Sequence, residues 1–409
     1  MVEQKKSRFH YCWVILLACC MLQGATLGVI QNSRGLFYGP VSQHLGCLVT
    51  EFTLQQIFFS VANIVTLPMV NLVFYKFNIR FVLCFMLVLF SGSAILMGTF
   101  DHLYQWYVAA AVQGAAGSFL ILVPSALMIE NWFVQKKGFA LGVSAAAAGI
   151  AGIITNSCFS QLIMENWRLG YYMLGGISFV ISAPLVAFTV YLHPGEKGME
   201  AYGKNADKEY SAKKIKDAIA VNGSFSKLVM LMLLAAIIAA CSTYLQHFPN
   251  LSLSIGNVAA VGANMTSVAM AGNMIGKIGT GALADHFGIK AAAYGGLFFI
   301  GLSFVLLLAG LEMPLFLYIG AFLNGITLAY SSVQMPLLFS HVFGQNGYGK
   351  RLSTMMILTT LSSSVGTVMI STSFDRSGSY IFALSAGAVL TMLSCILLKL
   401  SLQRKRNEK

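Results

Sequence analysis

Apolar runs long enough to cross a bilayer recur twelve times along these 409 residues, and no other feature restricts the fold as severely. At 1.5 Å of rise per residue, about 30 Å of hydrocarbon takes roughly 20 residues of helix. The runs lie near 13–36, 53–74, 80–99, 105–129, 138–163 and 170–192, then 226–250, 258–283, 290–310, 314–336, 352–371 and 378–398. Inside a bilayer every backbone N–H and C=O must find a partner within the protein, and uninterrupted runs of this length meet that demand as helices. Composition agrees: 57% of residues are hydrophobic and 10% charged, with a mean hydropathy of +0.74, where soluble chains carry roughly 25% charged residues. The fold class read here is all-α integral membrane, with twelve transmembrane helices in two six-helix repeats.

Charge supplies an independent count of the spans. Lys and Arg collect in cytoplasmic segments of membrane proteins, and with the N-terminus inside, 22 of the 26 basic residues fall in such segments. These are the N-terminal tail, Lys76 with Arg80, Lys136 with Lys137, the segment after span six with Lys227, then Lys290, Lys350 with Arg351, and the C-terminal tail. Arg34, Arg168 and Arg376 fall toward the outside, and Lys277 alone lies inside a span. Both termini are therefore placed in the cytoplasm. The net charge of +12 is membrane topology in short clusters, and nucleic-acid binding is set aside on that ground. The first run is too long for a signal peptide and reads as an uncleaved first helix. The eight cysteines show neither a disulfide framework nor zinc-ligand spacing.

The longest polar stretch, 193–224, carries six lysines among five acids and divides the chain into residues 1–192, a cytoplasmic linker and residues 225–409. It reads as a solvated linker or a short interfacial helix. The two halves echo each other. Asn71-Leu-Val-Phe-Tyr75-Lys76-Phe-Asn78-Ile-Arg80 after the second span aligns with Gly281-Ala-Leu-Ala-Asp285-His286-Phe-Gly288-Ile-Lys290 after the eighth, and Lys136-Lys137 with Lys350-Arg351. Two repeats around a midplane site are a transporter architecture.

At these residues the chain resembles the major facilitator superfamily. Gly281-x-x-x-Asp285-His286-x-Gly288-x-Lys290 is similar to that family's loop signature, and the resemblance implies a gating loop. Gly281 would permit close helix approach, Asp285 would meet a helix N-terminus or a basic group, Gly288 would turn the chain and Lys290 would face the cytosol. The first-half copy is degraded, with Asn71, Tyr75 and Asn78 at the matching places. A closer resemblance, to the branch of monocarboxylate transporters and oxalate/formate exchangers, rests on three stretches. They are Asn32-Ser-Arg34-Gly35-Leu-Phe37-Tyr38-Gly-Pro40, Asn131-Trp132-Phe133 with Lys137-Gly138-Phe-Ala140-Leu-Gly142, and Gly276-Lys277-Ile-Gly-Thr-Gly281.

Lys277 stands at the spacing from Gly281 at which that branch carries a substrate-binding arginine. A charge inside a span costs a few kcal/mol, so it marks a cavity or substrate role; the competing reading is a side chain snorkelling to the headgroups. Lysine in place of arginine exchanges a bidentate fork for a point charge. Asn273, one turn earlier, replaces an aspartate that the resemblance implies, and Thr359 or Thr360 stands near where exchangers have a second cation. One positive charge without a partner favours a monoanion. Arg34 and Asn32 are read at the outer mouth, binding anions or headgroups, and His247 as an interface residue near the outer end of helix seven. Asn63, Gln113, Asn156, Gln246, Asn264, Asn324 and Gln334 are cavity-lining or interhelical candidates.

No carboxylate lies mid-span: Glu130 and Asp285 sit at cytoplasmic ends, and Glu51, Asp101, Glu165, Glu312 and Asp375 belong outside. Proton coupling would fall to Lys277, His247 or the substrate. No phosphate loop, carboxylate pair or His/Cys metal cluster is legible, so no enzyme activity and no cofactor are expected. The expectation is an alternating-access carrier for a small organic anion, a monocarboxylate first, in the plasma membrane. Its partners are that anion, the lipid bilayer and a coupling proton or counter-anion, and the resemblance implies a monomer. Two alternatives remain: an efflux carrier for neutral or cationic compounds, and a non-transporting sensor that keeps the fold.

Overall fold

The computed structural model describes residues 10–121, 123–203, 225–343 and 348–403. Twelve helical rods fill it. The first six are α1 (Cys12–Leu45), α2 (three pieces, Val49–Thr53, Gln55–Thr66 and Met69–Lys76), α3 (Ile79–Met97), α4 (Leu103–Leu120 and Val123–Trp132), α5 (Lys137–Glu165) and α6 (Trp167–Thr189). The second six are α7 (Phe225–Ser254), α8 (Ala259–Phe287), α9 (Ile289–Ala309), α10 (Pro314–Phe343), α11 (Tyr348–Ser377) and α12 (Ile381–Leu402). Ten are long and apolar enough to cross a membrane. The remaining two are α2 and α8. Proline breaks α2 at Pro68, where a missing N–H and a ring clash end the preceding piece. Asn264, Asn273, Lys277 and several glycines dilute the apolar character of α8.

Most rods run a turn or more beyond the expected apolar windows; α1 continues to Leu45 and α11 to Ser377. Backbone hydrogen bonding carries a helix through the headgroup zone, where hydropathy no longer marks it.

Packing repeats with an offset of six helices. In the first half α1 packs on α5 and α6, α2 on α4, and α3 on α4 and α6; in the second α7 packs on α11 and α12, α8 on α10, and α9 on α10 and α12. Each half has its own apolar core, one including Leu87, Phe90 and Trp106, the other Leu297, Phe304 and Phe339. Small residues allow the close approaches: Gly28 faces Ala148 and Ala151, Gly114 faces the Phe59 backbone, and Gly272 and Gly325 bring α8 against α10. In α1 the stretch Gly24–Gln31 widens to π-helical geometry beside α5.

Three seams join the halves, α1 on α7, α2 on α11 and α5 on α8. The expected linker is described only as far as residue 203; the rest lies outside the described residues. The described part is exposed over much of its length and docked at specific contacts. Tyr202 N–H donates to the Trp132 carbonyl at 2.9 Å, the Val134 and Gln135 N–H groups donate to the Tyr202 carbonyl at 3.0 and 3.1 Å, and Lys197 Nζ lies 3.7 Å from the centre of the Tyr11 ring.

Candidate functional site

With twelve crossings both chain ends lie on one face, here the termini side; the opposite face is the far side. Hydrogen bonds between the halves, among the described residues, all fall in the far half. Tyr38 Oη donates to Gln246 Oε1 at 2.7 Å, Thr53 Oγ1 to Ser371 Oγ at 3.0 Å, and Ser157 and Ser267 hydroxyls lie 3.2 Å apart. Ser60 and Ser364 hydroxyls bond deeper along α2 and α11. Toward the termini side the seams loosen: a Cβ at Gly138, Gly142, Gly279 or Gly281 would meet nothing within 4 Å. The described residues hydrogen-bond the halves together on the far side, beside a cavity of about 390 Å³ that both halves line there with Ser42, Cys47, Val49, Asn250, Phe374 and Asp375, and leave more space beside those glycines toward the termini side.

Lys277 lies on α8 in this looser region. Ala263, Met270 and Lys277 recur at seven-residue spacing, so they share one stripe with a drift of about 20° per heptad. Ala263 belongs to the first half's core, and Met270 lies over Gly149 and Gly152 of α5. That stripe looks across the seam between the halves. Lys277 has no hydrogen-bond or ion-pair partner among the described residues and is half-buried. Helix α8 continues ten residues beyond it to Phe287, about 15 Å at 1.5 Å per residue, more than the two turns read from the sequence.

One turn before it on α8, and on the adjoining α10, lie amide atoms without partners. Asn273 Oδ1 is buried without a partner, and both amide atoms of Asn324 on α10 are likewise unsatisfied. Gly325 packs against the Asn273 backbone, so these two asparagines occupy adjoining turns. Buried amides in an apolar surround are costly unless water or a ligand bonds them.

Arg34 corrects the outer-mouth reading. Its side chain turns into the first half's core, donating to Gln56 Oε1 and, at 2.5 Å, to Gln113 Oε1, with its guanidinium 4.4 Å from the centre of the Phe59 ring. No carboxylate among the described residues pairs with it. Beside it Ile30, Phe37, Gln55 and Tyr171 help line a cavity of about 20 Å³, room for a single water and too small for a solute. Gln113 is thus a bundle-interior residue, also donating to the Phe90 carbonyl at 3.3 Å. Gln56, Gln55 and Phe59 were not legible as partners, because helical spacing on α2 says nothing about which α1 residue it meets.

The other candidates separate. Asn32 donates to the Ala148 carbonyl at 3.4 Å and receives Asn156 Nδ2 on its own carbonyl at 3.5 Å, tying α1 to α5. His247 is fully buried in the α1–α7 seam, between the rings of Tyr38 and Tyr380 at 5.5 and 6.0 Å, which corrects the interface reading. Neither ring nitrogen has a hydrogen-bond partner of ordinary geometry, and the Thr367 backbone of α11 lies near enough to interact with the ring. Thr359 bonds back to the Met356 carbonyl on its own helix. Asn63 ties α2 to the Gly114 carbonyl at 3.2 Å, Gln334 donates to the Ile289 carbonyl at 3.0 Å, and Asn264 is exposed.

In the gating signature Gly288 has φ of 86°, a left-handed value that suits glycine. Lys290 is exposed, and the Asp285 side chain lies outside what is described. Gly281 makes no close approach here, contrary to expectation, because it borders open space. Asn78, which replaces glycine in the first-half copy, caps α3 instead, accepting from Arg80 N–H at 2.9 Å.

Two six-helix repeats joined along three seams define the fold of a multi-pass membrane transporter. The family model of the Major Facilitator Superfamily matches residues 12–367, and the chain belongs to that family. It is 22% identical to a probable transporter, MCH2, of Saccharomyces cerevisiae over 68% of this chain and 58% of that one. It is 25% identical to monocarboxylate transporter 3 of Rattus norvegicus over 40% of this chain and 34% of that one. The matched segments thus span less than two thirds of these relatives' lengths. Among solved structures, a bacterial homologue of the human lysosomal transporter Spinster, inward-facing and occupied, superposes with a TM-score of 0.71 at 12% identity, covering 97% of each chain.

Proposed function

We propose that this transporter carries a small organic monoanion, a monocarboxylate first, with Lys277 as its counter-charge and Asn273 and Asn324 as hydrogen-bonding neighbours. The observation that carries this reading is a lysine, without a partner among the described residues, on the stripe of α8 that faces the other half, beside amides that lack partners. An ammonium held in a low-dielectric cleft without a carboxylate attracts an anion strongly. The likeness to a monocarboxylate transporter supports the same substrate class. A point charge recognises one carboxylate group without the bidentate geometry of arginine, which suits compact anions. With both termini in the cytoplasm, the termini side opens to the cytosol, and the anion meets Lys277 from there. Gly281, Asp285, Gly288 and Lys290 form the loop that meets the opposite half when this face closes.

Radiolabelled counterflow in proteoliposomes tests the reading, with lactate, formate, oxalate, a neutral sugar and a lipophilic cation as solutes. Lactate or formate should exchange, and Lys277→Gln should slow that exchange on the order of tenfold or more, the scale of a lost charge-assisted contact. Lys277→Arg should retain part of it. Movement of the sugar or cation alone, or an unimpaired Lys277→Gln, refutes the assignment.

A further inference from the structure

On the far side, a carboxylate of one half accepts hydrogen bonds from the other across the α2–α11 seam. Asp375, in the last turn of α11, accepts the Val49 N–H on Oδ1 at 3.3 Å and the Thr50 N–H on Oδ2 at 2.7 Å. Both N–H groups belong to the first turn of α2, where no preceding helical carbonyl is available to them. The α2 capping residue is served locally, since Glu51 Oε2 accepts the Leu48 N–H at 3.0 Å. Asp375 therefore takes the donors that Glu51 leaves, and it does so from the opposite half.

A row of hydroxyls continues the contact inward: Thr50 to Thr372 at 3.3 Å, Thr53 to Ser371 at 3.0 Å, then Ser60 with Ser364. The symmetry-related seam of α5 and α8 has a hydroxyl pair, Ser157 with Ser267, but no bridging carboxylate. There the residue that the Lys136/Lys350 alignment matches to Asp375 is Gln161, a neutral amide, which donates to Glu165 on its own helix at 3.0 Å. The charged contact is thus confined to one of two equivalent seams.

We infer that Asp375 is a positioning residue of the transport cycle, the latch that holds the far side shut. A carboxylate on backbone N–H groups is a charge-assisted bond, stronger than a neutral one. When the far side opens, Asp375 and the two N–H groups must exchange each other for water. The Asp375 carboxylate therefore biases the equilibrium toward the state sealed on the far side. The hydroxyl pairs are neutral and exchange with water at smaller cost, so they guide the seam without setting that bias. Because the latch acts on conformation, it is independent of which solute the carrier moves.

The test reads far-side opening directly. In a chain bearing Cys47→Ser and Ser364→Cys, a membrane-impermeant maleimide applied from the far side reaches position 364 only when the α2–α11 seam parts. The same chain without Ser364→Cys supplies the background from the remaining cysteines. Asp375→Asn should accelerate labelling on the order of tenfold, as expected for losing one charge-assisted contact, with the melting temperature unchanged. Asp375→Glu should restore slow labelling. Val49→Pro deletes one donor at a helix position that accepts proline and should accelerate labelling by a smaller factor, which keeps the test informative should Asp375→Asn fold poorly. Equal labelling rates in Val49→Pro, Asp375→Asn and the parent overturn the proposal.

Discussion

Three basic side chains separate three kinds of cation. Lys277 is within a span and has no partner among the described residues. Arg34 is buried among neutral acceptors, its charge spread over Gln56, Gln113 and the face of Phe59, an arrangement that suits the weakly hydrated guanidinium and would not suit an ammonium. Arg168 is on the far side, 2.6 Å from Asp101 and within 3.4 Å of His44. The hydrogen bond from Arg168 holds the Asp101 carboxyl below its ordinary value. A depressed folded-state value contributes stability that is present above the unfolded-state value and lost as pH falls through the folded one. The melting-temperature gap between the wild type and Asp101→Asn should therefore be constant from about pH 8 to pH 5 and close below about pH 4. It should also be small and diminish with salt, because the pair is solvent-exposed. A gap that already shrinks near pH 6 excludes the carboxylate as the titrating group.

At the scale of elements, glycines decide how close two helices come. Gly114 on α4 lies directly against the Phe59 backbone of α2, whereas Gly142 on α5 borders open space. Gly114→Val should lower the melting temperature severely, since the displaced contact is backbone and cannot yield. Gly142→Ala should hold or raise it, as alanine is the better helix former by about 1 kcal/mol. Thermal unfolding in detergent compares them, and equal effects would mean that packing distance does not control α2–α4 stability. The same glycine-rich spacing gave no hint of which helix each face meets; a small residue in a span announces a close approach without naming its partner.

For the whole molecule, the offset-by-six packing makes two rigid groups whose seams can trade places. In the proposed transport cycle the two groups rock against each other, opening one face as the other closes. Gly281, open here, is where the termini side must close, so Gly281→Leu should leave the melting temperature unchanged and abolish exchange in counterflow. Full exchange by that variant would place the closing contact elsewhere. Residues 193–203, docked by Tyr202 onto the α4–α5 loop, move with the first group.

The number of spans, the alternation of basic loops and the internal repeat were all legible in the sequence, because each depends on residues that are neighbours along the chain. Hydropathy accumulates over about 20 consecutive residues, and the gating signature is a local turn whose Gly288 keeps its meaning wherever the turn is placed. That Lys277 lies inside the eighth span was legible too, but that its stripe of α8 faces the other half came only from the packing of Ala263 and Met270. Which face Arg34 turned to, where His247 lay and what Asp375 touched were decided only by tertiary structure. Asp375 meets α2 across 325 positions, and a hydrogen bond over that separation depends on the relative rotation and depth of two helices. No periodicity within either helix encodes that registration; it is set by how all twelve rods fill the bundle together.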